Sequence, residues 1–189
     1  MKAVFLDRDG VINEDFGYVS ARENFIFKEG IFEALRGFTR LSYALFVVTN
    51  QSGIARGFYT QEQFLTLNSW MLGEFEKQGV FVKKVYFCPH SPQQSCECRK
   101  PKSGMILAAK REFGVDLKRS ILVGDKLSDI EAGLNAGVGR NFLISPQEGQ
   151  ESCGAQIADL SKSNLVLTKL EFRQIPSVLA LFQLIANEG

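Results

Sequence analysis

Short runs of apolar residues that break off into charged or hydrogen-bonding side chains recur along this chain, and that recurrence restricts its fold more than any single residue does. Ala3–Leu6 ends in Asp7, Asp9 and Gly10, and Tyr43–Val48 ends in Thr49, Asn50, Gln51 and Ser52. Val80–Phe87 runs into Cys88 and His90, and Ser120–Val123 into Gly124, Asp125 and Lys126. Continuous apolar runs of this length, bounded by turn signals, fit strands covered on both faces. Between them the apolar period changes to that of a helix. Ile31, Leu35, Phe38 and Leu41 mark one helix within Gly30–Ser42, and Phe64, Leu67, Met71 and Phe75 follow a capping box formed by Thr60 and Gln63. Met105, Ile106, Ala109 and Phe113 follow a candidate cap at Ser103, and another helix runs from Asp129 to about Ala136, where Gly137 stops it. A fifth strand is expected at Asn141–Ile144 and a sixth at Asn164–Leu167. Phe172, Ile175, Val178, Leu179, Phe182 and Ile185 outline a closing helix, with Pro176 delaying or kinking its start. Strands alternating with helices predict an α/β fold with a doubly wound, mainly parallel sheet. Ligands bind such sheets just beyond the carboxyl ends of the strands, so the polar residues at those ends are the candidate site.

With 189 residues, 45% of them apolar, the chain is expected to form a single domain over residues 1–189. No apolar stretch approaches membrane-spanning length. Met1–Val4 leads straight into the first strand, leaving no space for a signal peptide, so a cytoplasmic protein is expected. Twenty-two basic and 21 acidic residues are interspersed to a net charge of +1, with no basic stripe of the kind nucleic acid requires. These features argue against nucleic-acid and membrane partners; a small-molecule substrate and a monomer are expected.

Asp7 and Asp9 sit two residues apart on an extended backbone and project to one side, while Gly10 lets the chain turn away. Two carboxylates aimed at one point repel unless a cation lies between them, and Mg²⁺ suits carboxylate and phosphate oxygens. Asp125 supplies a third carboxylate at another strand end, and Lys100, Arg99, Lys126, Thr49 and Asn50 supply donors. This is an inventory for phosphoryl transfer: one carboxylate to attack phosphorus, a second to shuttle a proton, a third to help hold Mg²⁺, and donors for the equatorial oxygens. Asp15, Phe16, Gly17 and Tyr18, just beyond the acidic pair, are expected to form a flap over the site.

Cys88, His90, Cys96 and Cys98 place three thiols and the chain's single imidazole in one short loop over residues 88–98, the ligand set of a tetrahedral, closed zinc site with a structural role. Arg99, Lys100 and Pro101 follow directly, so a bound ion would fix a loop that aims two cations at the phosphate. Cys153 stands alone and has no part in this set.

The pattern of Asp7, Asp9, Gly10, Thr49, Asn50, Lys100, Gly124, Asp125 and Asp129 resembles the haloacid dehalogenase superfamily of aspartate-nucleophile phosphatases, over the chain to about residue 145. Within it, Asp15–Val19, the Thr49–Gly57 segment, the cysteine loop with Arg99, Lys100 and Pro101, and Gly124–Leu127 are similar to the heptose 1,7-bisphosphate phosphatases. The histidinol-phosphate phosphatase domain shares the zinc loop, and the five residues between His90 and Cys96 are short like that group's. The resemblance implies a Mg²⁺-dependent phosphatase acting on a sugar bisphosphate in lipopolysaccharide precursor synthesis, with histidinol phosphate as the alternative substrate. A zinc-stabilised module that only binds phosphate is a third reading, against which the second carboxylate of Asp9 argues. The resemblance further implies Asp7 as nucleophile, Asp9 as general acid and then base, and Asp125 as a Mg²⁺ ligand beside Asp7 and the Asp9 backbone carbonyl. Thr49 and Lys100 would steady the phosphoryl group, and Asp15, Phe16, Gly17, Tyr18, Asn50, Gln51, Ser52, Arg99 and Lys126 would contact substrate. Neither the stretch after Asp9 nor that around the zinc loop is long enough for a separate cap domain, so an open site is expected.

Overall fold

The computed structural model describes residues 1–145 and 172–188. The sixth strand expected at Asn164–Leu167, and Cys153, lie outside the described residues. Six parallel strands form one sheet: β1 (Ala3–Leu6), β2 (Ala44–Asn50), β3 (Val82–Cys88), β4 (Ile121–Gly124), β5 (Arg140–Ile144) and β6 (Arg173–Ile175). Their order across the sheet is β3-β2-β1-β4-β5-β6, with every neighbouring pair parallel. The chain winds outward from β1 in one direction, then returns to start again at β4. The seam between β1 and β4 is therefore the switch point, where the connections leave in opposite directions and open a crevice.

The central strands β1, β2, β4 and β5 bury both faces, which is why their apolar runs are nearly continuous, whereas the edge strands β3 and β6 expose Lys83, Lys84, Arg173 and Gln174. Val4 and Leu6 face a layer made by α1 (Ile31–Arg40), α2 (Gln61–Lys77) and the last helix, α5 (Val178–Ala186), while Ala3 and Phe5 face α3 (Gly104–Phe113) and α4 (Leu127–Ala136). α2 starts at the expected capping box: Thr60 Oγ1 accepts from the Gln63 amide at 3.1 Å, and the Gln63 side chain accepts from the Thr60 amide at 2.7 Å. Ser103 stands at the cap position of α3 but makes no side-chain capping bond. Trp70 packs edge-on against Phe25 at 5.5 Å, the structural role its place on α2 suggests.

The end of the chain departs from expectation. Phe172 and Ile175 do not belong to the closing helix; Arg173–Ile175 is a strand pairing with β5, and α5 begins only at Val178. Pro176 accounts for the difference, because the residue before a proline is disfavoured in helical conformation, and here Ile175 is extended and buried in the sheet. Ser177 then caps α5, its Oγ accepting from the Ala180 amide at 3.1 Å.

Candidate active site

At the switch point β1 ends in Asp7, whose amide donates to the Val123 carbonyl of β4 at 3.0 Å, so the two strands hold the residue jointly. Asp7 Oδ1 accepts from the Arg8 amide at 2.8 Å and lies 2.9 Å from Lys100 Nζ. The same lysine donates to the Val48 carbonyl at 2.7 Å and pairs with Asp129 Oδ1 at 2.7 Å. Lys100 is 3% exposed, and a cation buried so deeply needs this compensation. Burial alone would lower its pKa, but the flanking carboxylates of Asp129 and Asp7 hold it above the ordinary lysine value. Asp129 also serves α4, since its Oδ2 accepts from the Lys126 amide at 3.0 Å at the start of that helix.

One carboxylate oxygen from each of Asp7, Asp125 and Asp129 lies within 4.8 Å of the others. Three acids in one small volume cannot all ionise easily. Burial, with the Asp7 charge adding to it, pushes the Asp125 carboxyl up to about 8, and burial raises Asp7 as well, against the pull of Lys100. Asp125 Oδ1 is buried without a hydrogen-bond partner. An orphaned carboxylate oxygen, all-oxygen donors and mutual repulsion fit a hard divalent cation such as Mg²⁺. Gly10 makes room for this arrangement: it has φ +85°, and a Cβ there would lie 2.3 Å from Asp125 Oδ2.

Asp9 stands apart from the three acids. Its Oδ1 accepts from Arg8 Nη2 at 2.9 Å and Asn13 Nδ2 at 3.0 Å, and its Oδ2 from Gln51 Nε2 at 3.1 Å. Arg8 itself is fully buried. The first acid of the pair thus lies in a cation site and the second in a cradle of donors, as different roles require.

A cavity of about 460 Å³ opens over these groups. Asp7, Asp9, Asp15, Gly17, Tyr18, Thr49, Asn50, Gln51, Ser52, Arg99, Lys100 and Lys126 all line it, as expected of them; Phe16 does not, its side chain pointing to solvent at 63% exposure. Asn50 and Gln51 line the wall with their amides already occupied. Asn50 bonds the Lys100 backbone in both directions at 3.1 Å, so it fixes the lysine loop on β2. The flap is tied down by Lys126 Nζ, 3.0 Å from Asp15 Oδ2. Two residues that sequence reasoning passed over, Arg8 and Tyr59, complete the site with Asp129, which the sequence pattern included without a role. For Asp129 the signal was available, because an acid in the first turn of a helix can reach back to the cap amide, and here it accepts from the Lys126 amide just beyond β4.

The cysteine loop gathers at the end of β3. Cys88 Sγ lies 3.7 Å from Cys96 Sγ, 3.0 Å from Cys98 Sγ and 3.5 Å from His90 Nδ1, and the three cysteines are free thiols. A tetrahedral zinc ion with its usual bond lengths has ligand separations of about 3.5–3.8 Å, so this donor set could hold one. Arg99 Nη1 donates to the His90 carbonyl at 3.2 Å, joining the loop to the cavity wall.

A parallel sheet of this order, with acids at the ends of β1 and β4 and a buried lysine between them, defines a hydrolase of the haloacid dehalogenase type, and a family model described as HAD-hydrolase-like matches residues 97–143. The chain is 50% identical over 161 residues to a D-glycero-α-D-manno-heptose-1,7-bisphosphate 7-phosphatase of Campylobacter jejuni, covering 85% of this chain and 92% of that one. It is 44% identical over 171 residues to a D-glycero-β-D-manno-heptose-1,7-bisphosphate 7-phosphatase of Haemophilus influenzae, covering 87% and 93%. A crystal structure of D,D-heptose 1,7-bisphosphate phosphatase from B. bronchiseptica, complexed with magnesium and phosphate, superposes with a TM-score of 0.83 at 29% identity over 100% of both chains. The chain belongs to the family of the D-glycero-D-manno-heptose-1,7-bisphosphate 7-phosphatases.

Proposed function

We propose that this protein removes the C7 phosphate of D-glycero-D-manno-heptose 1,7-bisphosphate in the cytoplasm, working as a monomer whose residues 1–189 form one phosphatase domain, on the route to lipopolysaccharide core precursors. The observation that carries the reading is the placement of Asp7, paired with Lys100, at the switch point, with Asp9 held separately two residues on. Asp7 Oδ1 is taken by the Arg8 amide and Lys100, which leaves Oδ2 to attack phosphorus. As the new bond forms, the sugar oxygen departs with the bonding electron pair and takes a proton from Asp9, giving an aspartyl phosphate and a free hydroxyl. Asp9, now a carboxylate, takes a proton from the water that attacks this acyl phosphate, and inorganic phosphate leaves with Asp7 regenerated. Thr49 and Lys100 stabilise the charge on the transferring group. Asp7 and Asp125, with the Asp9 backbone carbonyl, would hold Mg²⁺, with Asp129 beside them. When bound, this ion neutralises phosphate charge and keeps the carboxylates ionised. Zinc in the loop over residues 88–98 would hold Arg99 and Lys100 in place.

The far end of the sugar bisphosphate would meet Arg99, Lys126, Ser52 and the Asp15–Tyr18 flap, and binding there positions the reacting phosphate. The likeness to relatives named for the α and for the β anomer is of similar degree, so both are assayed. Phosphate release is expected from a heptose 1,7-bisphosphate far faster than from histidinol phosphate or generic esters, with only the C7 phosphate lost. Asp7→Asn should be folded and inactive. A folded Asp7→Asn protein with near-normal turnover would end the mechanism, and histidinol phosphate as the best substrate would end the heptose assignment.

A further inference from the structure

Gln51 lines the cavity with both ends of its side-chain amide engaged. Its Nε2 donates to Asp9 Oδ2 at 3.1 Å and to Thr49 Oγ1 at 2.8 Å, and its Oε1 accepts from the Tyr59 hydroxyl at 2.6 Å. Gln51 is 2% and Tyr59 5% exposed. The two ends of an amide have nearly the same shape, so hydrogen bonding decides which faces where. Reversed, the amide would set its oxygen against the Asp9 carboxylate, acceptor against acceptor. The Tyr59 hydroxyl, donating to Oε1, opposes that reversal from the other side.

The reach of Tyr59 to Gln51 is itself built in. Its ring lies over Gly53, where a Cβ would be 2.2 Å from Cε1 and 2.9 Å from the hydroxyl oxygen. Any larger residue at 53 would push the ring, and with it the hydroxyl, off the amide. Opposite Gln51, Arg8 Nε and Nη2 and Asn13 Nδ2 donate to Asp9 Oδ1 at 3.2, 2.9 and 3.0 Å, and Arg8 Nη2 also reaches Oδ2, at 2.9 Å, beside the Gln51 amide.

We propose that Tyr59 and Gln51 are positioning residues that act through Asp9: the Tyr59 hydroxyl locks the Gln51 amide, and the amide shares with the Arg8 guanidinium the task of setting the rotation of the Asp9 carboxyl for proton transfer to the departing oxygen. The inference rests on the acid–base role of Asp9 given above. It also changes the expected part of Gln51, from touching substrate to orienting the residue that protonates it.

The proposal predicts a dependence on the leaving group. A sugar alkoxide departs only if protonated, whereas p-nitrophenyl phosphate releases a stable phenolate that needs little help. In the full-length Mg²⁺-loaded enzyme, Tyr59→Phe keeps the ring over Gly53 and removes only the lock. It should lower kcat/KM for heptose bisphosphate about tenfold, within the range of impaired acid–base catalysis, and that for p-nitrophenyl phosphate by less than about twofold. Gln51→Leu, which also frees Thr49 Oγ1, should lower kcat/KM for both substrates but for heptose bisphosphate by more. Because Tyr59 works through Gln51, the double variant should be no worse than Gln51→Leu. Equal losses on both substrates, or losses that multiply in the double variant, overturn the proposal. Asp9→Asn separates this from the underlying reading. A leaving-group-selective loss in Asp9→Asn without one in Tyr59→Phe refutes the positioning pair alone, and no selectivity in Asp9→Asn refutes the role of Asp9 and the pair with it.

Discussion

Lys100 shows how one residue can be both structural and chemical. Its side chain, 2% exposed between two carboxylates, tolerates burial only while those charges face it. Breaking a buried pair costs about 3–5 kcal/mol, whereas an exposed pair is worth at most about 1 kcal/mol. Asp129→Ala should therefore lower unfolding free energy in urea by about 3 kcal/mol and cut kcat, while Asp15→Ala, which frees only the half-exposed Lys126, should barely move the urea midpoint. The neighbouring Asp125 gives a pH prediction. Its carboxyl has an ordinary value of 3.8 and is pushed up to about 8 in the folded, metal-free protein. Between those values the folded chain keeps a proton that the unfolded chain has lost, so metal-free stability falls as pH rises through that window. Mg²⁺ requires the carboxylate and displaces the proton, so the Tm increase it produces should be larger at pH 8 than at pH 6. A shift in Tm that is the same at both values would contradict the assignment of Asp125 as a ligand.

At the scale of elements, strand ends and the loops after them carry the site, and this was legible because the apolar runs stop where the chemistry starts. Asp7, Thr49, Lys100 and Asp125 were found that way. What could not be read was side-chain direction: Phe16 turns outward, and Asn50 and Gln51 spend their amides on the protein itself. Arg8 carried no signal of its own between the two acids, because only tertiary packing reveals the pocket that buries it. Pro176 was seen, yet its effect on Ile175 was misjudged, since apolar residues at helical spacing also satisfy a short buried strand followed by a helix. The β3 loop offers an elemental prediction. One equivalent of zinc should co-purify, and Cys96→Ser should lower both Tm and kcat, because the loop anchors Arg99 through the His90 carbonyl. Excess Mg²⁺ should not restore either, as magnesium does not replace a thiolate-bound ion. Metal analysis of protein purified without chelator, finding no zinc, would contradict this.

For the whole molecule, two layers of helices clamp a sheet whose seam brings Asp7 and Asp9 from the start of the chain to Asp125 and Asp129 from its middle, and Asp15, pinned by Lys126, lines the cavity there with Gly17 and Tyr18. Enzymes that complete their site by swinging a lid or second domain often turn over no faster than that motion allows. Here Lys100 Nζ already lies 2.9 Å from Asp7 and 2.7 Å from Asp129, just beyond the ends of buried strands. Chemistry carried out within these described residues has little protein to drag through the solvent. Turnover of the bisphosphate should thus be indifferent to friction: raising the viscosity of the medium with sucrose should leave kcat unchanged, where a lidded relative would slow in proportion.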